Sequence, residues 1–283
     1  RYEKQVYNRK DNGSYLAWTS NNINQHNLFL QTEYKVNSFT FSCGLGYSLF
    51  KQKGRGDWVN HFEPALGIYY TSPANWKTSL AYSINTKYPT LHELFSASSG
   101  NPELLEESAR KYELALDIPF ILGTSAGSVS QKVFYNQVEN LISKVSDLYI
   151  NSDEIDSYGY ELTFRIRYFW EHQIDYFLIK HTDKSDYTLL EVAENSVNLI
   201  EKFLLPFGFN FKYKGEWRDI RRTELEGFVL DPYWLHSVYL SRKFNNVKLL
   251  LGLENIFDEN YMEKYGYPGE GFNFLISLET GLF

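Results

Sequence analysis

The sequence predicts an all-β chain, an incomplete transmembrane antiparallel up-and-down β-barrel. Three observations predict it. Apolar and polar residues alternate with period two over long segments. These segments exceed ordinary strand length. Tight connections alternate with long ones along the chain.

Residues 1–9 read as a strand already under way, and 14–19 as a second, joined by DNG at 11–13. Asn-Gly between strands signals a hairpin, so the sequon-like NGS at 12–14 is read as a turn. In 27–36, Leu28, Leu30, Thr32, Tyr34 and Val36 share one face, and Gln31, Glu33 and Lys35 share the other. In 39–50, Phe39, Phe41, Cys43, Leu45, Tyr47 and Leu49 oppose Thr40, Ser42, Gly44, Gly46 and Ser48. The pattern returns at Trp76, Thr78, Leu80, Tyr82 and Ile84, and at Tyr158, Tyr160, Leu162, Phe164, Ile166 and Tyr168. It returns again at Val247, Leu249, Leu251 and Leu253. Strict alternation marks strands with two unlike faces, where a helix would space its apolar residues by three and four. The remaining strands are expected at 61–71, 76–87, 109–120, 126–148, 157–169, 172–181, 198–213, 216–223, 232–243, 247–256 and 272–282, about fifteen in all.

Ordinary strands average about five or six residues, while a tilted membrane-spanning strand needs about nine to eleven. Tight connections are expected at 11–13, 37–38, 72–75, 121–125, 170–171, 214–215 and 244–246. Long ones are expected at 20–26, 51–60, 88–108, 149–156, 182–197, 224–231 and 257–271. An up-and-down sheet puts all tight connections on one edge and all long ones on the other, as outer-membrane barrels do. A barrel of this size encloses too much volume to fill with side chains. Its apolar face must then look outward, and only lipid tolerates so large an apolar exterior. Trp58, Tyr70, Trp76, Tyr88, Trp170, Trp217 and Trp234 fit interfacial girdles. Without linker or repeat, 1–283 reads as one domain.

Composition narrows the function. Lys and Arg number 28 against 35 Asp and Glu, a net charge of −7 that argues against nucleic acid as a partner. No apolar run approaches the length of a membrane helix, which leaves strands as the way across. Cys43 is alone, so neither an intrachain disulfide nor a Cys-rich zinc site is expected. No metal or other cofactor is expected. The chain opens without a signal-like segment and is read as a fragment.

Motifs that suggest catalysis dissolve in context. GTSAG at 123–127 matches a nucleophile-elbow pattern, but strands flank it on both sides where a helix should follow. HELF at 92–95 starts like a zinc-binding motif, yet Ser96 stands where the second His belongs and no helical periodicity follows. NSDEID at 151–156 collects Asn151, Asp153, Glu154 and Asp156, but lacks an EF-hand's glycine and distal glutamate. Glu106 and Glu107 are adjacent and point apart in an extended chain. The chain is not expected to be an enzyme.

Two stretches carry a family resemblance. YPTLHELFSASSGNPELLEESARKYELAL (88–116) resembles the segment of TonB-dependent outer-membrane receptors in which an aromatic, a proline and E-L-F lead to a G-N-P turn and a strand. NIFDENYMEKYGYPGEGFNFLISL (255–278) resembles their N-[LI]-F-D-x-x-Y run, followed by a Gly- and Pro-bearing loop and the final strand. FLQTEYKV (29–36), FYNQVENLIS (134–143) and GYELTFRI (159–166) add weaker similarity in consistent order.

The resemblance implies a barrel of about 22 strands, of which this chain is the C-terminal part, with the N-terminal plug absent. It implies an outer-membrane receptor that takes up a scarce ligand such as a ferric siderophore, haem or cobalamin. Its partners would be that small molecule, the TonB system acting through the plug, outer-membrane lipid and the barrel-assembly machinery. Residues 88–108 become an extracellular loop over the mouth. Tyr88, His92, Phe95, Asn101 and Glu103, with Tyr265 and Tyr267 of the last loop, become candidate ligand contacts, while Leu91, Leu94 and Phe95 are also suited to pinning the loop to the wall. A passive porin and a soluble all-β carbohydrate-binding protein are the alternatives. Phe283 suits a terminal aromatic read by the assembly machinery, but stands one residue out of phase with Phe272, Phe274, Ile276 and Leu278.

Overall fold

The computed structural model describes residues 2–10, 18–145, 147–152, 154–183, 191–223 and 227–280. The strands are β1 (Tyr2–Lys10), β2 (Trp18–Val36), β3 (Phe39–Gln52), β4 (Val59–Thr71), β5 (Lys77–Lys87), β6 (Glu107–Leu122), β7 (Ser125–Glu139), β8 (Ile142–Val145), β9 (Leu148–Asn151) and β10 (Ile155–Arg167). They continue as β11 (Trp170–Asp183), β12 (Asn195–Leu205), β13 (Phe209–Arg218), β14 (Arg221–Arg222), β15 (Val229–Leu230), β16 (Tyr233–Phe244), β17 (Val247–Glu254), β18 (Met262–Lys264), β19 (Tyr267–Pro268) and β20 (Asn273–Thr280). One short helix, α1 (Leu91–Phe95), sits between β5 and β6. No helix is long and apolar enough to cross a membrane among the described residues.

Fourteen strands form one antiparallel sheet in the order β1-β2-β3-β4-β5-β6-β7-β10-β11-β12-β13-β16-β17-β20. Every neighbour is the next sheet strand in sequence, the up-and-down topology expected. β1 and β20 do not pair with each other among the described residues, so the wall is open. β8-β9, β14-β15 and β18-β19 are small hairpins carried on the long connections.

One edge has tight turns at 37–38, 72–76, 123–124, 168–169, 206–208 and 245–246. Asn37, Asn75, Gly123 and Asn245 take positive φ there, the left-handed conformation that Gly and Asn enter most readily. GTSAG is thus a hairpin turn. The opposite edge carries 53–58, 88–106, 140–145, 147–152, 191–194, 219–223, 227–232 and 255–272.

Several sequence expectations need correction, among them the strand expected at 216–223, which leaves the sheet after Arg218. Residues 14–19 and 27–36 are not two strands, because 20–26 stay in the sheet and β2 runs unbroken from Trp18 to Val36. That merger gives fourteen strands in place of about fifteen, and pairs Lys10 with Trp18 toward the looped edge. NGS at 12–14 lies outside the described residues. Residues 198–213 are not one strand. Pro206 has no N–H to give the ladder, and Phe207 and Gly208 turn at φ 62 and 74, so the tight turn falls there and not at 214–215. Residues 126–148 stop pairing in the main sheet at Glu139 and fold back as β8 and β9.

The apolar face is the outside. Leu30 is 65% exposed, Leu45 46% and Leu80 55%. Aromatic rings line this face near the tight-turn edge, where Tyr70 packs on Phe39 at 4.9 Å and Trp76 on Tyr70 at 5.2 Å. Farther round, Trp170 stacks on Phe203 at 6.2 Å and Phe203 meets Phe211 at 6.1 Å. Tyr88, expected in this girdle, turns inward and is buried. Phe164 lies three residues from the end of β10 at the tight turn, and Leu162 sits closer to the middle of the strand.

The polar face is held by cross-strand bonds. Lys132 pairs with Glu161 at 2.9 Å, Thr163 donates to Asp175 at 2.7 Å, and Arg165 donates to Gln173 at 2.8 Å. Lys202 pairs with Glu171 at 2.7 Å. Charges placed this way stay hydrated in a wet bore and cost little.

Candidate functional site

The looped edge holds two folded clusters. The first is built on 88–106. Thr90 caps α1, with its Oγ1 accepting from Glu93 N at 3.3 Å while Thr90 N donates to Glu93 Oε2 at 2.7 Å. This T-x-x-E capping box closes the turn reciprocally, and it was the legible signal for a helix at HELF. Leu91 and Leu94 face a core made with Ile23, Phe50, Tyr88, Leu104 and Ile142. Leu94, Leu104 and Phe50 have no exposed surface. Phe50 lies on the same face of β3 as Ser42 and Gly44, so the loop folds down onto the polar, inner side of the wall.

Tyr88 anchors this core. Its ring stacks on Phe50 at 4.6 Å, and its hydroxyl meets Ser48 Oγ at 2.8 Å. Burial, partly offset by the Ser48 hydrogen bond, pushes its phenol up to about 12. His61 sits edge-on to Tyr88 and bonds Glu106 at 2.8 Å. Glu107 receives Lys87 at 2.8 Å and the Ile142 amide at 2.9 Å. The adjacent glutamates do point apart, each to its own partner.

The G-N-P turn is a clamp. A Cβ on Gly100 would lie 2.4 Å from Ser96 N, so only glycine fits. Asn101 N donates to Glu93 O at 2.8 Å, and its side chain donates to Tyr149 O at 2.9 Å while accepting from Glu103 N at 3.0 Å. Asn151 closes the other side, accepting from Leu105 N at 2.8 Å and donating to the carbonyls of Leu105 and Asn140. Asn151 of the acidic NSDEID run is therefore a loop tie. Asp153 lies outside the described residues.

The second cluster joins 219–232 to 255–272. Asn255 is buried at φ 47, donates to the carbonyls of Glu259 and Glu270, and accepts from Glu259 N at 2.8 Å. Asp258 accepts from Phe272 N at 2.8 Å. Tyr261 lies flat against Gly269, where a Cβ would approach its ring to 2.1 Å. The N-I-F-D-x-x-Y run thus encodes loop closure through Asn255, Asp258 and Tyr261. Arg221 reaches from β14 to donate to Glu263 O at 2.8 Å and Met262 O at 2.7 Å, with its guanidinium 5.0 Å from the Tyr233 ring. Tyr265 N donates to Glu191 Oε1 at 2.8 Å, which ties in a third connection.

The candidate contacts therefore separate. Tyr88 is buried, and the side chains of Phe95 and Asn101 are committed to the loop's own packing and hydrogen bonds. His92 is exposed and meets Tyr149 edge-on at 5.9 Å, and Glu103 is exposed. Tyr265 and Tyr267 are exposed on the second cluster. Phe228, Asp231 and Glu259 also border this mouth. They come from loops about thirty residues apart, and no spacing rule links them in sequence. No group of three or more His, Cys, Asp or Glu is arranged to hold a metal among the described residues.

Residues 2–256 match the family model for TonB dependent receptor-like β-barrels. Comparison with curated proteins gave no match. Three solved structures share the fold. The FrpB iron transporter of Neisseria meningitidis (F3-3 variant) has a TM-score of 0.73 at 16% identity, over 93% of this chain and 46% of its own. The ferric-catecholate import receptor Fiu of E. coli K12 gives 0.72 at 15%, over 99% and 50%. The pyoverdine receptor FpvA of Pseudomonas aeruginosa PAO1 gives 0.74 at 14%, over 96% and 44%. This chain thus spans about half the length of those receptors or less. At such identities the likeness concerns fold, while the family model covers most of the chain. The chain belongs to the TonB-dependent receptors of the Gram-negative outer membrane, as part of their β-barrel.

Proposed function

We propose that this chain is the wall and mouth of an uptake receptor that captures a scarce small ligand outside the cell. The observation that carries the reading is the mouth itself, where long loops are folded and tied to one another while aromatic and polar side chains stay exposed. An iron chelate is the favoured cargo, since iron, ferric catecholate and pyoverdine are named for the three structural neighbours. Haem and cobalamin are the other candidates. His92, Glu103, Tyr265 and Tyr267 are the proposed direct contacts, and Tyr88, Phe95 and Asn101 hold the loop that presents them.

Residues 1–283 are proposed as one domain, the C-terminal part of a barrel of about 22 strands. A plug elsewhere in the parent polypeptide would couple binding to TonB, and the assembly machinery would insert the barrel into lipid. Uptake needs no covalent step by this chain: binding is an equilibrium, and release follows plug movement.

Replacing residues 91–101 by a Gly/Ser linker in the full receptor tests the reading. Uptake of labelled ligand should fall sharply at unchanged barrel assembly, and undiminished uptake would refute it. A passive channel is the second reading. Deleting TonB separates the two, since a passive channel would go on admitting ligand.

A further inference from the structure

The second cluster encloses a cavity of about 580 Å³ between 228–233 and 259–271. This lies within the roughly 300–1,000 Å³ of small-molecule sites. Its walls are aromatic, with Phe228, Tyr233, Tyr261 and Tyr265. Tyr233 and Tyr261 lie 4.6 Å apart at 41°, and Phe228 and Tyr265 lie 6.1 Å apart at 66°. Two carboxylates, Asp231 and Glu259, complete the lining. Both are exposed, and neither makes an ion pair or a side-chain hydrogen bond among the described residues. The nearby cation, Arg221, is buried, donates to two backbone carbonyls and holds its charge over one face of the Tyr233 ring, which leaves the rings of Phe228, Tyr261 and Tyr265 for a ligand.

We propose that this cavity binds the cationic end of a small molecule, an ammonium or similar positive group on an apolar or aromatic body. The proposal rests on the uptake reading above and narrows its ligand class. Two chemical facts converge. Aromatic faces attract cations through the ring quadrupole, most strongly where water is excluded. Two unpaired carboxylates at the rim repel an anion and draw a cation toward the rings. A ligand presenting only carboxylate or phosphate would meet like charge, and a bare metal ion would gain nothing from the rings. Tyr233 and Tyr261 are fixed by Arg221 and Gly269, so these walls are formed before ligand arrives.

The test uses a water-soluble pair of matched body and opposite charge, benzyltrimethylammonium and benzylsulfonate, titrated onto the receptor in detergent by saturation-transfer NMR. The ammonium should bind about tenfold more tightly than the sulfonate, as a half-exposed cation–π contact plus two carboxylates predicts. Asp231→Asn with Glu259→Gln should cut that preference to about two- to fivefold, the part the rings supply. Phe228→Ala with Tyr265→Ala, whose side chains are exposed and whose ties to other loops run through the backbone, should weaken the ammonium several-fold while barrel assembly is retained. Equal or stronger binding of the sulfonate would overturn the proposal, as would ammonium binding untouched by both variants. Either result leaves the uptake reading standing, because that reading is judged by transport of ligand in cells.

Discussion

The two loop clusters at the mouth are held by different forces. The first, around 88–106, is pinned by a hydrophobic core set into the inner wall, with Leu94, Leu104 and Phe50 fully covered. The second, around 219–223, 227–232 and 255–272, is tied by Arg221 and Asn255 donating to backbone carbonyls and Asp258 accepting from a backbone N–H, and it leaves Phe228, Tyr265 and Tyr267 exposed. Burying apolar side chains to fix a loop removes them from ligand. Fixing a loop by polar ties to its own backbone keeps its aromatics available. The first cluster therefore offers the proposed ligand only His92 and Glu103 on a shaped rim, while the second offers it exposed aromatic rings.

The largest effect is expected where the core is cut. Leu94→Ala should weaken the first cluster by about 2–5 kcal/mol, the cost of emptying a packed site. Hydrogen exchange should rise across 91–105 and stay unchanged across 255–272. A rise in both would mean that the clusters are one unit. Arg221→Met comes next. It strips two charge-assisted bonds from the carbonyls of Met262 and Glu263, a loss of about 1.5–3 kcal/mol. The same exchange measurement should now show opening confined to the second cluster.

A smaller effect follows from pH. The fold raises the Tyr88 phenol from 10.0 to about 12. Its contribution is complete below pH 10 and is lost as pH climbs through 12, because the ionised form is favoured only once the loop opens. Exchange at 88–106 should accelerate across that window, and Tyr88→Phe should remove the step without touching the second cluster. Smallest in stability is Tyr267→Ala. At 70% exposure and with a polar-tied loop beneath it, it should shift stability by less than about 0.5 kcal/mol while lowering ligand affinity. Equal affinity would move the capturing surface back to His92 and Glu103.

The wall was legible in the sequence because lipid imposes a period-two pattern on every strand that meets it. Leu28–Val36 and Tyr158–Ile166 show that pattern, and both lie within strands. The pattern failed at Ser20–His26, a polar stretch that stays in the sheet near its looped edge. Oily alternation is required only at lipid depth. It failed again at Pro206, where oily residues on both sides of a three-residue turn imitate one continuous strand. The mouth was legible only through its motifs. G-N-P and N-I-F-D-x-x-Y marked the right loops, but their residues bind backbone, as Asn101 and Asn255 do. Other exposed side chains that border the cavity, such as Phe228 and Asp231, carry no motif because the fold alone brings them to it.

The whole account needs the oily side of the wall to meet lipid and the polar side to meet water. Leu162 and Thr163 are neighbours in β10 on opposite faces, each placed between two paired strands. The direct measurement is the folding stability of Leu162→Arg and Thr163→Arg, each in the full receptor in lipid. Leu162→Arg should cost about 2–4 kcal/mol as a charge in hydrocarbon, while Thr163→Arg, beside Asp175 and Glu161, should cost far less. Equal losses, or a greater loss at Thr163, would contradict it.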